Sequence, residues 1–167
     1  MSAAEFSRPV PLGRLGPAPF KEEIAATAEE RAALAARFGL LALDRLEARV
    51  VLERCPGDTI LLTAAFDAAF TQECVISLEP VAGAVSEQFT LRYGPPEAEI
   101  DDSADEPAFE PLEDDAIDVG EAVAQEFSLS LPPFPHLPDA VMEFEETEGD
   151  EGPFAVLRRI GSPTDSQ

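Results

Sequence analysis

"LDRLEARVVLER", Leu43 to Arg54, is the stretch on which the fold turns. Leu46, Ala48, Val50 and Leu52 share one parity, while Arg45, Glu47, Arg49 and Glu53 share the other. A period of two belongs to a half-buried strand. Just upstream the period is helical. In "TAEERAALAARFG", Ala28, Leu34, Ala35 and Phe38 fall on one stripe, with Glu29, Arg31 and Arg37 around it. Thr27 and Glu30 have the S/T-x-x-E spacing in which a hydroxyl and a carboxylate satisfy orphan N–H groups at a helix start. Gly39 stands where a left-handed residue ends a helix. The spacing predicts a helix over 28–38 leading into a strand, with "FKEEIAA" before it as a further short strand.

Downstream, Pro56-Gly57-Asp58 supplies the turn of a hairpin. Leu62, Ala64, Phe66, Ala68, Phe70, Gln72, Cys74, Ile76 and Leu78 then share one parity, a run too long for one straight strand, so a bulge or bend is expected. Pro80 to Gly83 reads as another turn, and "AVSEQFTLRY" as a strand with Val85, Phe89, Leu91 and Tyr93 on one face. The expected fold class is α+β: an antiparallel β-meander, partly closed and barrel-like, packed with a capped N-terminal helix.

Four segments follow from composition: an extended arm over 1–19, an α+β core over 20–93, a flexible acidic linker over 94–116, and a helical and acidic segment over 117–167 that docks on the core. The linker holds 10 acids, four prolines and no base, with Phe109 and Leu112 as docking points. Such a composition buries too little apolar surface to offset its ordering entropy. In "IDVGEAVAQEFSLSLP", Asp118 and Glu121 form a capping variant, Ile117 can staple onto Ala122, and Val119, Val123 and Phe127 line one side of a helix over about 119–128. A last short helix is expected around Phe154, Leu157 and Ile160.

The chain of 167 residues carries a net charge of -23, unevenly spread. Residues 1–54 are neutral, with eight bases and eight acids, whereas residues 55–167 hold three bases and 26 acids. The second part repels phosphate backbones and suits a basic protein partner. Asp101, Asp102, Asp105, Glu106, Glu113, Asp114 and Asp115 are the candidate contacts for such a partner. Arg31, Arg37, Arg45 and Arg49 are the candidate RNA or partner contacts, although Glu29, Glu30, Asp44 and Glu47 balance them locally.

No catalytic, cofactor-binding or metal set stands out. There is no glycine-rich phosphate loop, no H-E-x-x-H and no calcium-loop spacing. Cys55, Cys74 and His136 fall short of a zinc set, and Cys74 has the parity of the buried residues. His136 reads as an exposed turn residue. No apolar run reaches the roughly 18–20 residues of a membrane span. The opening "MSAAEFSRPVPLGRLG" is not expected to be a secretory signal, so the cytoplasm is the expected setting.

"FSRPV", "ERAALAARFGL", "QECVISLEPV", "EPLEDDAIDVGEAVAQEFSLSLPPFP" and "PFAVLRRI", in this order, resemble the YceD family of large ribosomal RNA subunit accumulation proteins, and in particular its alphaproteobacterial-type members. The resemblance spans nearly the whole chain. It implies a non-enzymatic ribosome-biogenesis factor, supporting accumulation of the large-subunit (23S) rRNA by binding an assembling large subunit or a basic ribosomal protein. No cofactor, membrane or small-molecule substrate is implied. The alternative is direct rRNA binding through the N-terminal arginines. Many members carry C-x-x-C where this chain has Cys74 and Ser77, and relatives often have Arg where His136 stands.

Overall fold

The computed structural model describes residues 5–96, 107–112 and 114–141. Helix α1 (Ala28–Phe38) starts at a complete capping box. The Glu30 N–H donates to Thr27 Oγ1 at 3.3 Å, and the Thr27 N–H donates to Glu30 Oε2 at 2.8 Å. Gly39 closes the helix with φ 65°, a backbone geometry that L side chains resist. Leu34 and Ala35 are its buried residues.

Five strands form one sheet: β2 (Phe20–Ala25), β3 (Ala42–Cys55), β4 (Thr59–Glu73), β5 (Pro80–Gly94) and β6 (Ala108–Pro111), in the order β2-β3-β4-β5-β6. The first four run antiparallel, and β6 lies parallel to the end of β5. From Leu46 to Leu52 in β3 and from Ile60 to Phe70 in β4 the even-numbered residues, among them Leu46, Val50, Leu62, Ala64, Phe66 and Phe70, are buried on one face. Their odd-numbered neighbours lie on the other. Gly57 and Asp58 both have positive φ in the β3–β4 hairpin.

The expected partial barrel is not formed. Among the described residues β2 and β6 are the edges of the sheet, and strand β1 (Pro9–Pro11) pairs with β7 (Ala116–Asp118) in a separate two-stranded ribbon. One face of the sheet is covered by helices, so closure is not needed to bury it. The long parity run also resolves differently. β4 stays in register with β5 to Glu73, and the register shift of this sheet is on β3, between Leu43 and Arg45. The turn lies at 74–79, with Leu78 at φ 61°, whereas Pro80–Gly83 begins β5. Gly83 is a strand glycine because the Phe70 ring occupies its place: a Cβ there would come within 2.6 Å of that ring.

Helix α2 (Val119–Ser130) is capped by the Asp118 carboxylate, which accepts the N–H groups of Gly120 and Glu121 at 3.1 Å each. It buries Val119, Ala122, Val123, Ala124 and Phe127 in the same core as α1 and the sheet. The N-terminal arm joins that core through Phe6, Val10 and Leu15. Arg8 fastens it by a two-pronged pair with Glu30, at 2.7 and 2.9 Å. The Arg8 guanidinium holds the Glu30 carboxyl down at about 2, with the Thr27 N–H helping. Of the acidic linker, Phe109 sits in β6 beside Gly94, and the Leu112 N–H donates to the Gly94 carbonyl at 2.7 Å. The short helix expected around Phe154 to Ile160 lies outside the described residues.

Candidate partner-binding surfaces

The four candidate arginines do not form one patch. Arg31 and Arg37 belong to α1, on the helix-covered side of the sheet. Arg45 and Arg49 project from β3 on the opposite face, which no helix covers among the described residues. Each guanidinium already has an oxygen partner. Arg31 donates to the Ala26 carbonyl at 2.7 Å. Arg37 bridges Glu5 at 2.9 Å and Glu121 at 2.8 Å, and both raise its pKa. Arg45 pairs with Glu47 at 3.4 Å and Arg49 with Glu23 at 3.1 Å. Only the last two pairs stand well out in solvent, where water screens them heavily.

The acidic candidates are only partly described. Asp101, Asp102, Asp105, Glu106 and Glu113 lie outside the described residues, while Asp114 and Asp115 are exposed between β6 and β7. The acidity that local composition does not reveal lies across the fold. A groove of about 510 Å³ between the β5–β6 end of the sheet and α2 is lined in part by Tyr93, Glu110, Asp114, Asp118 and Glu121. Burial, then Glu110, Asp118 and Glu126, push the Tyr93 hydroxyl up to about 12. Burial also raises the Glu126 carboxyl, and Glu110 and Glu87 raise it further. These like charges face one another because tertiary packing, not sequence adjacency, sets them there.

Cys74 is fully buried, but outside the strand whose parity it continues and outside the main hydrophobic cluster. Its N–H donates to the Glu79 carbonyl at 2.8 Å, and its carbonyl accepts the Leu78 N–H at 3.0 Å, folding 74–79 into a turn. The Val75 N–H and the Gln72 amide donate to the carbonyls of Pro135 and Pro132, so the segment after α2 lids that turn. Ser77 therefore faces the sulfur rather than the opposite side, its N–H donating to Cys74 Sγ at 3.4 Å. The Ser77 hydroxyl and N–H, with help from the N–H groups of Leu137 and Ile76, pull the thiol down to about 6, outweighing burial under a cover one loop thick. His136 is exposed beside this loop, with Nδ1 3.1 Å from the Phe134 carbonyl. Among the described residues no cluster of three or more His, Cys, Asp or Glu is placed to hold a metal ion.

The thiol gives a direct prediction. In a Cys55→Ser background, thiolate absorbance is expected to titrate near 6, and Ser77→Ala to move the midpoint upward. A group whose pKa is lowered on folding contributes stability above its ordinary value, and that contribution fades as pH falls through the folded value. Stability from Cys74 should therefore decline between about pH 9 and pH 6. A thiol titrating at its ordinary value in the folded protein would refute the cradle.

Leu41, Val75, Leu78, Leu129, Phe134 and Val141 are the large apolar residues left exposed among those described. Among the described residues, no helix is long and apolar enough to cross a membrane. The family model described as large ribosomal RNA subunit accumulation protein YceD matches residues 62–156. No curated protein and no solved structure matches the chain.

Proposed function

The chain belongs to the YceD family, and from that membership we propose that it serves accumulation of large-subunit ribosomal RNA as a non-enzymatic assembly factor that holds a basic protein of the assembling subunit. The observation that carries this reading is the disposition of charge. Arg8, Arg31, Arg37 and Arg54 are spent on carboxylates and carbonyls, and the exposed Arg45 and Arg49 stand beside Glu47 and Glu23, which work against phosphate contact. Carboxylates, by contrast, line a groove, and burial together with Glu110 and Glu87 raises the carboxyl of Glu126, so negative charge there is held at a cost. A basic protein relieves that cost on binding, and its premature contact with RNA is shielded while it is held.

Pull-down from a bacterial lysate, with and without RNase, tests this. Large-subunit proteins are expected to remain after RNase treatment. Recovery of ribosomal RNA alone, lost on RNase with no ribosomal protein retained, would overturn the reading. It would favour direct RNA binding by Arg45 and Arg49, the two candidates that stand exposed on the uncovered face. In that case charge reversal at both positions should abolish recovery.

A further inference from the structure

Strand β5 is paired unequally on its two sides. β4 pairs with it from Pro80 to Tyr93, whereas β6 covers only Leu91 to Gly94. Over Pro80 to Thr90 the second edge has no strand beside it among the described residues. The direction of its backbone groups follows from two hydrogen bonds. The Gly94 carbonyl accepts the Leu112 N–H at 2.7 Å, so the even-numbered residues of β5 point toward the β6 side. Independently, the Thr71 carbonyl accepts the Leu41 N–H on the β3 side, which leaves the even residues of β4 to bond the odd residues of β5. Ala82, Ala84, Ser86, Gln88 and Thr90 thus each present an N–H and a carbonyl outward, over roughly 26 Å.

Edges this long are ordinarily blunted by lysine, proline or a bulge. Here the register with β4 is unbroken, the sole proline is Pro80 at the tip, and the outward row is Ala, Ala, Ser, Gln and Thr. Ser86 is held by the Asp67 carboxylate on the uncovered face. On the helix-covered side the edge carries Glu87, which lies close enough to Glu126 to raise that carboxyl, as Glu110 does from β6. The basic residue of β5, Arg92, lies on the uncovered side and under the reach of β6.

We propose that the β5 edge from Ala82 to Thr90 takes an extended basic segment of a partner protein as an added strand, with alternate Lys or Arg side chains meeting Glu87, Glu110 and Glu126. The main chain supplies the pairing and the carboxylate row the selection, as in other strand-addition complexes. A second copy of the chain would set one acidic row against another, and RNA offers no amide ladder and meets repulsion. The inference rests on the reading that a basic protein is the partner, and adds how it is held.

The full chain is titrated with a nine-residue peptide alternating Lys with Val, and with the same peptide N-methylated at alternate amides on one edge. Slowing of amide exchange at Ala84, Ser86, Gln88 and Thr90 is expected, by about tenfold or more, with the N-methylated peptide bound about tenfold more weakly. Gln88→Pro, which removes one outward N–H and leaves the β4 ladder intact, should bind as weakly while remaining folded. Equal binding of both peptides with unchanged exchange at these amides overturns the inference. So does their protection by RNA or by raising the protein concentration alone. If RNase-treated pull-downs still retain basic ribosomal proteins in that event, the partner reading stands without this mode; if they retain none, it is the partner reading that fails.

Discussion

Replacing Phe127 by alanine is expected to lower stability by about 3–5 kcal/mol, the cost of removing a large, fully buried ring. The ring is fully buried and meets three others: Phe38 at 5.9 Å, Phe66 at 6.4 Å and Phe70 at 5.7 Å, all in edge-type or tilted geometry. Those three come from α1 and β4, so one side chain joins α1 and α2 to the sheet. Truncation leaves a cavity that none of them can fill without giving up its own packing, and loses the aromatic edge contacts besides. Denaturant unfolding followed by circular dichroism should show the loss, with a melting temperature lower by on the order of 10 °C. A loss under about 1 kcal/mol would mean that the helices are held elsewhere.

Gly120→Ala is expected to destabilise by about 1–3 kcal/mol, although alanine favours a helix over glycine by about 1 kcal/mol. The reversal of sign comes from the arm. A Cβ at Gly120 would collide with the Phe6 carbonyl oxygen and reach 3.0 Å from the Arg8 nitrogen, both backbone atoms that cannot rotate aside. The arm must lift, and with it go the buried Phe6, the Arg8 N–H to Asp118 contact at 2.7 Å, and the Arg8–Glu30 pair. The Glu30 carboxyl, held at about 2 by Arg8, should then titrate higher, and the Val119 amide bonded to the Arg8 carbonyl should exchange faster. An unchanged or raised melting temperature would show that the arm docks independently of this contact.

Local signals carried most of the fold. The capping pair Thr27 and Glu30, the switch of period at β3 and the Pro56-Gly57-Asp58 turn are all decided within a few residues of themselves, and each stands where its neighbours place it. The turn after β4 misleads because Cys74 keeps the buried parity for a different reason. It is enclosed by the 132–137 segment, not by the sheet, while Pro80 and Gly83 look like punctuation and serve as strand. Gly83 is explained only by the Phe70 ring lying across it. The β1–β7 ribbon joins residues more than a hundred positions apart, beyond any periodicity. For the same reason the arginines look like one basic face in sequence and occupy two sides of a sheet. The β5 edge that has no strand beside it among the described residues exists only as a relation between strands, which no window of residues contains.

The β1–β7 ribbon also sets an order of events at the ribosome that makes this chain. Val10 is synthesised more than a hundred residues ahead of its partner Ile117 and of the α2 glycine against which the arm rests. At about 5–20 residues per second, the interval from the arm to the end of α2 is roughly 6–24 s. During that time Phe6 and Val10 are apolar side chains without a home, on a nascent chain whose hairpins β3–β4–β5 can already pair. Among the described elements the arm can therefore close only after the β3–β4–β5 hairpins, because its pairing spans more than a hundred residues.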